Sequence, residues 1–380
     1  MVLEFHWALQ DVAQEHFHPV GGESFFGSLV YDRIVPKNHF LMRLNALVPW
    51  ERFGRKLLRY YQGNAFYGRS PYHPAVILKM LLLSYLYGLS ERQTEELVNF
   101  NLIAKCFVGL AVDEPAPDYS TLSLFTTRLI ERGKMAPFET LLQDIVTIAR
   151  QNGITLGPIQ IVDSVHVVAD VNVPKDEQRQ NDGKPPRDPD AAWGVKRSRT
   201  VRDEKGRKHK QKEYFYGYKQ HVSENAASGL ITSVSHTPGN APDGKHLQEL
   251  ILHDCQQRIP LETVTADKAY DDGDNHEFLW AHGLHSALHL NDYRTQKKDG
   301  HKEPWIRLQQ RPTYQAGLRQ RFRIEQKFGE AKTSHRFRRC RFLGLLRFAV
   351  QGFLTAVVLN LKRMVRLLGG PPIHKEGLRP

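Results

Sequence analysis

The stretch Ile159-Gln-Ile-Val-Asp-Ser-Val-His-Val-Val-Ala169 decides the fold. β-Branched residues crowd together directly after Gly157-Pro158 and predict a strand, whereas the strong patterns before it are helical. Asp163 stands inside this strand. A carboxylate there costs free energy unless it is paired or binds metal. The plainer alternative is that Asp163 marks a strand end or turn.

Downstream, strand patterns return at residues 217–223 and 230–236, joined through Asn225-Ala-Ala-Ser-Gly229 as a hairpin. A helix over about 243–257 precedes a strand at 261–265. That strand runs into Ala266-Asp267-Lys268-Ala-Tyr270, so Asp267 lies at a strand's carboxyl end, where α/β sheets present functional groups. A helix at about 274–282 and a short strand at 286–290 follow. A polar stretch over 292–311 leads into Leu318-Arg-Gln-Arg-Phe-Arg-Ile-Glu-Gln-Lys-Phe-Gly-Glu-Ala-Lys332.

The spacing of Leu318, Phe322, Ile324, Phe328 and Ala331 predicts a helix. On it Leu318, Arg321, Glu325 and Lys332 fall within roughly 60° of one another. Gly329, one turn after Glu325, leaves room for a backbone or ligand. The plain alternative is an amphipathic helix whose Arg321–Glu325 pair contributes about 0.2–0.5 kcal/mol.

Residues 174–213 are polar and proline-bearing and are expected to loop out as a basic insertion. They carry Lys196, Arg197, Arg199, Arg202, Lys205, Arg207, Lys208, Lys210 and Lys212 against Asp203 and Glu204. Trp193 precedes the run, and Tyr214, Phe215, Tyr216 and Tyr218 follow it. Cations flanked by aromatics suit phosphate contacts plus base stacking; a solvated loop is the alternative. A loop holds no base-edge geometry, so positioning rather than sequence readout is expected.

Upstream, residues 1–60 show no clear period, and His16-x-His18 has no further ligands nearby. From Pro74, residues 75–87 are apolar nearly all round and read as a buried helix stopped by Gly88. Ser90-x-x-Gln93 is a capping box for a second helix to about Asn99. Further helices are expected from Asp118 or Ser120 to about Arg132, and over 137–151, closed by Gly153. This all-helical region fits helix-turn-helix DNA binding or a dimerisation bundle equally.

The 380 residues suffice for two domains with cores of their own. The expected division is a helical domain over 1–153, a second, strand-bearing domain over 154–367 and a flexible tail over 368–380. Lys+Arg 53 against Asp+Glu 41 gives a net charge of +12, which favours a polyanionic partner such as nucleic acid. A basic ribosome-associated or membrane-surface protein shows the same balance. Cys106, Cys255 and Cys340 form no CxxC pair, so free thiols are expected and a zinc ribbon is not. The longest apolar run, 348–361, is interrupted by Gln351, Thr355 and Asn360 and is too short to span a bilayer. The expectation is a soluble, cytoplasmic protein.

A hairpin-rich sheet, a later parallel strand and a last helix bearing Asp, Asp and Glu in that order make the layout of an RNase H-like α/β fold. Three convergent carboxylates repel one another unless cations lie between them, and hard oxygen ligands suit Mg²⁺ or Mn²⁺. Two such ions about 3.5–4 Å apart support in-line phosphoryl displacement.

These residues resemble the DDE transposases of bacterial insertion sequences, of the insertion-sequence-5-like type, over about residues 20–366. The family signature around the last acid is Tyr-x2-Arg-x3-Glu-x6-Lys. This chain has Leu318, Arg321, Glu325 and Lys332, with leucine in place of the tyrosine. Gly217-Tyr-Lys219, Thr237-Pro-Gly-Asn-Ala-Pro-Asp243 and residues 71–97 are similar to the family as well. The resemblance implies Asp163, Asp267 and Glu325 as catalytic and metal-binding acids. It further implies metal-dependent cleavage at terminal inverted repeats and joining to target DNA, by a nucleoid-associated protein acting as a homodimer on double-stranded DNA. Arg321 and Lys332 are cations placed for DNA phosphates. An RNase H-like nuclease that never joins ends, and a DNA-binding regulator without catalysis, are the competing readings. The intact acidic set argues against the regulator, because negative charge beside phosphate weakens plain binding.

Overall fold

Pro74 pre-sets the first helical turn, and a nearly unbroken apolar run then has no polar face to turn to water. The computed structural model accordingly buries every residue from Pro74 to Leu86 of this helix. It describes residues 25–60, 71–202, 208–295 and 302–373. His16, His18, Lys205, Arg207 and the last seven residues of the tail lie outside the described residues. The chain divides into two units, 1–137 with 365–380, and 138–364.

The first unit is helical: α1 Phe25–Ile34, α2 Phe40–Leu47, α3 Trp50–Leu58, α4 Pro74–Tyr87, α5 Glu91–Phe100, α6 Leu102–Val108 and α7 Tyr119–Gly133. Gly88 ends α4 at φ 67°, a left-handed conformation that costs glycine little. Ser90 and Gln93 form the reciprocal capping box that starts α5. Lys79 is buried in α4, with its ammonium 5.4 Å from the Trp50 ring centroid and 5.5 Å from that of Phe107. Burial lowers its pKa to about 8. The sequence showed no period over α1 to α3 because helices of 8 to 10 residues offer barely two turns in which one could appear.

The second unit opens with most of α8 (Ala136–Gln151) and is built on a six-stranded sheet. Its strands are β1 Ile159–Val168, β2 Ala192–Arg202, β3 Lys208–Asn225, β4 Ile231–Pro238, β5 Thr263–Ala266 and β6 His285–Leu288. The order is β2-β3-β1-β5-β6, with β4 also pairing β3. β1 runs antiparallel to β3 and parallel to β5, and β5 runs parallel to β6. The parallel steps are made through α10 (Leu247–Gln256) and α11 (Gly273–Ala281). These helices bury Leu247, Leu250, Ile251 and Leu279 with Val162, Val264 and Ala266 of the sheet.

After the short helices α12 (Asp292–Thr295) and α13 (Glu303–Gln310), the helices α14 (Pro312–Gln320), α15 (Phe322–Ser334) and α16 (Leu345–Leu367) lie over the opposite face. Val165 of β1 and Val222 of β3 line a shared cavity with Lys327, Phe328 and Ala331 of α15. Asn360 of α16 accepts from the Ile231 amide (2.8 Å) and donates to the Ile231 carbonyl (2.7 Å), tying the helix to β4. α16 is long and apolar enough to cross a membrane, but 78% of its apolar window is buried inside the fold. It exceeds the apolar run read from the sequence because its polar ends are helical too.

Two expectations need correction. Among the described residues the stretch 174–213 is not a loop: it forms α9 (Val173–Asn181), β2 and the first part of β3. Its charge concealed a period-2 pattern, Lys208, Lys210, Lys212, Tyr214 and Tyr216, and each strand satisfies the other's backbone. The expected single helix over 318–332 is two, α14 and α15. They meet at Arg321, whose φ −53° and ψ −36° remain helical, so the side-chain stripe carries on across the junction.

Candidate functional site

The parallel ladder between β1 and β5 ends at Val162↔Ala266. Asp163 and Asp267 therefore occupy the next position on neighbouring strands. Asp163 is opposite Val222 across β3, and directly opposed residues share a face. It thus belongs to the face that α15 covers. Its Oδ1 accepts from the Ser164 amide at 2.7 Å. Asp267 caps a short 3-10 turn (Lys268–Tyr270), its Oδ1 accepting from the Ala269 amide at 2.8 Å.

Burial first, and then the Asp267 charge, push the Asp163 carboxyl up to about 7. Asp267 is raised by burial and by Asp243. Arg321 pulls both down. The same Arg321 reaches Glu325 of α15 at 3.4 Å. Glu325 is itself exposed, its side chain 59% accessible. Arg321 is thus the cation common to all three sequence-derived acids. Among the described residues, no group of three His, Cys, Asp or Glu side chains could hold a metal ion as it stands.

A fourth carboxylate joins the two aspartates. Asp243 accepts from Lys219 Nζ at 2.8 Å and lies 3.9 Å from Nδ1 of buried His221. Burial drives that imidazole down to about 3, so it is neutral near pH 7. Tyr270, fully buried, has its phenol raised by burial and then by the charges of Asp163, Asp243 and Asp267. The sequence contained the signal for this pair, because Lys219 and Asp243 both fall in stretches resembling the family. Neither stretch carried a role.

The cations form a second group. Lys332, half-buried near the end of α15, is lowered by burial and then by Arg338 and Lys196. Lys196 sits where β2 is bulged, between Val195 and Arg197, and pairs with Glu213. His166 of β1, pulled to about 4 by burial, also feels Lys332, Lys196 and Lys219. Lys332 therefore gathers with the base of the β2–β3 ribbon. Lys196, Arg202 and Lys212 are exposed, and Arg197, Arg199, Lys208 and Lys210 hold register positions in the same ribbon. A Cβ on Gly329 would meet no protein atom within 4 Å, so no backbone approaches there. Leu318, at the signature tyrosine position, packs with Trp305 against the small cluster of Ala287, Leu290, Leu308 and Tyr314.

Residues 157–361 match the family described as transposase DDE domain, and residues 29–128 match a transposase domain, DUF772. The chain belongs to the DDE transposase family. It is 30% identical over 200 residues to the transposase for insertion sequence element IS1106 of Neisseria meningitidis serogroup B. That alignment covers 52% of this chain and 59% of the relative. Among solved structures, a piggyBac transposase synaptic complex with hairpin DNA matches at TM-score 0.40 and 9% identity, covering 90% of this chain and 77% of that one. A Mos1 transposase paired-end complex with the left transposon end matches at TM-score 0.19 and 11% identity, covering 75% and 87%.

Proposed function

We propose that this protein is the DNA transposase of a bacterial insertion sequence, acting in the cytoplasm on the nucleoid. It cuts at the terminal inverted repeats of its element and joins the freed 3′-hydroxyl ends to target DNA. The observation that carries this is the juxtaposition of Asp163 and Asp267 at the end of one parallel ladder, with Arg321 reaching from them to Glu325. The antiparallel β3–β1 pair followed by parallel β5 supports an RNase H-like catalytic domain over 154–367. The helical region over 1–153 is its DNA-binding or dimerisation part, and the working form is a homodimer on DNA.

The acids suit a hard divalent cation: burial raises the proton affinity of both carboxylates, the Asp267 charge adds to it at Asp163 and the Asp243 charge at Asp267, and all supply only oxygen donors. Asp163, Asp267 and Glu325 would hold Mg²⁺ or Mn²⁺, two ions in all, with Asp243 beside them. When bound, the ions activate the attacking oxygen and stabilise the leaving one. The chain does the rest. Arg321 pairs with Glu325 in this state and can pass its guanidinium to a DNA phosphate, which binds it bidentately. Lys219 fixes Asp243 through its 2.8 Å hydrogen bond. Lys332 and Lys196 offer paired cations for the strand that leaves the acids.

The test incubates the protein with Mg²⁺ and a plasmid carrying the element's two ends. Cleaved ends and joined products are expected from the native protein. Asp163→Asn, Asp267→Asn and Glu325→Gln should each abolish both while still binding DNA. Cutting without joined product makes the protein a nuclease. Binding without cutting makes it a regulator. Wild-type cleavage in any of the three variants removes that residue from the metal site.

A further inference from the structure

The first eight residues of β3, Lys208 to Phe215, pair with β2 alone, because Tyr216 already accepts from the Ala169 amide (2.9 Å) and β1 and β4 join at Gly217 and Tyr218. The result is a two-stranded ribbon continuing beyond the sheet for about 27 Å at ordinary strand rise. That is most of one turn, about 34 Å, of duplex DNA. Its two faces differ sharply at the base. Gly194 and Phe215 form the inward one: Phe215 is 5% exposed, and a Cβ on Gly194 would lie 2.2 Å from the Gly239 carbonyl. The outward face carries Trp193 (51% exposed), Val195 (45%) and Tyr214 (56%), with Val195 opposite Tyr214 and Trp193 opposite Tyr216. Lys212 continues this face two residues from Tyr214, with Lys210 and Lys208 at the following alternate positions of β3. Arg202 is opposite Lys208.

We infer that the β2–β3 ribbon is a groove-reading element that lays its lysine–tyrosine face into the major groove of duplex DNA and so supplies sequence preference as well as charge. A two-stranded ribbon fits that groove, about 12 Å wide, and holds its side chains at fixed register, which a loop cannot. Alternate lysines on one face complement the phosphates flanking the groove. The exposed aromatics and valine at the base offer apolar contacts to base edges. The identity of the duplex rests on the transposase reading, whereas the fit to a groove rests on the ribbon alone.

The experiment compares the full-length native protein with two charge-conserving changes on end-bearing and random duplexes. In the first, Gln211→Lys is combined with Lys212→Gln, which keeps net charge and composition and moves the cation to the other face. In the second, Thr200→Pro interrupts the ribbon without altering charge; the sheet proper does not depend on that segment. Affinity is titrated against salt, and interference by guanine N7 methylation reports major-groove contact. The exchange should lower affinity 3- to 10-fold and flatten the salt slope by about 0.9, as loss of one phosphate contact does. Thr200→Pro should erase the methylation interference and cut preference for the end-bearing duplex at least tenfold. Native-like binding by the exchange variant, or native-like interference in Thr200→Pro, overturns the inference while leaving the transposase reading standing. Groove contact without cleavage in the native protein overturns the transposase reading alone. A change in oligomeric state with Trp193→Ala, at unaltered DNA affinity, makes the face a protein interface and overturns the inference.

Discussion

Asp163 and Asp267 stand one residue past the last paired position of β1 and β5, side by side on parallel strands although 104 positions apart in the chain. Burial raises the cost of ionising both, and the Asp267 charge adds to it at Asp163 as the Asp243 charge does at Asp267.

The metal-free protein should therefore lose stability as pH rises. An Asp163 carboxyl at about 7 when folded, against about 3.9 unfolded, binds its proton more tightly in the native state. Its contribution is complete below pH 4 and is lost as pH climbs towards 7, at no more than about 1.4 kcal/mol per pH unit. Urea titrations at several pH values should show that slope and lose it in Asp163→Asn. Added Mg²⁺ should stabilise the native protein near pH 7 and leave Asp163→Asn largely unchanged.

Lys219 and Asp243 should act as a pair beside the aspartates. Lys219→Met leaves Asp243 as uncompensated charge next to them and is expected to slow cleavage of bound DNA about tenfold or more. Adding Asp243→Asn to Lys219→Met should recover part of that loss. Single-turnover rates for the two single variants and the double variant decide it: strict additivity means the pair does not work as a unit.

Arg321→Ala should barely alter folding stability, because an i,i+4 pair of this exposure contributes about 0.2–0.5 kcal/mol. Cleavage of bound DNA should nonetheless drop at least tenfold, since the cation shared by Asp163, Asp267 and Glu325 is gone. A thermal melt measured beside the cleavage rate separates the two effects. A large fall in melting temperature with unchanged cleavage would assign Arg321 a purely structural role.

Beneath the sheet, Asp254 is fully buried and accepts from Gln160 (2.8 Å), Ser223 (2.6 Å) and Ser233 (3.0 Å). Asp254→Ala strands these donors without an acceptor and should cost about 3–5 kcal/mol. Asp254→Asn keeps the shape and some acceptor capacity and should cost clearly less. Chemical denaturation ranks the two, and equal losses would point to volume rather than hydrogen bonding.

Local patterns determined much of this protein by themselves. The all-apolar run of α4, its stop at Gly88 and the Ser90–Gln93 box are legible because capping and periodicity act within a few residues. Asp163 inside a β-branched strand and Asp267 at a strand end are legible for the same reason. What only the tertiary structure decided is which distant residues become neighbours. The pairing of β3 with β2, β1 and β4 turned a basic segment into a ribbon and set Lys196 near Lys332. Packing of the turn before α10 brought Asp243 to Lys219, and the α14–α15 junction put Arg321 among the acids. Charge composition along the chain does not encode these meetings. They follow from strand register and from buried apolar faces, which no short stretch of sequence contains.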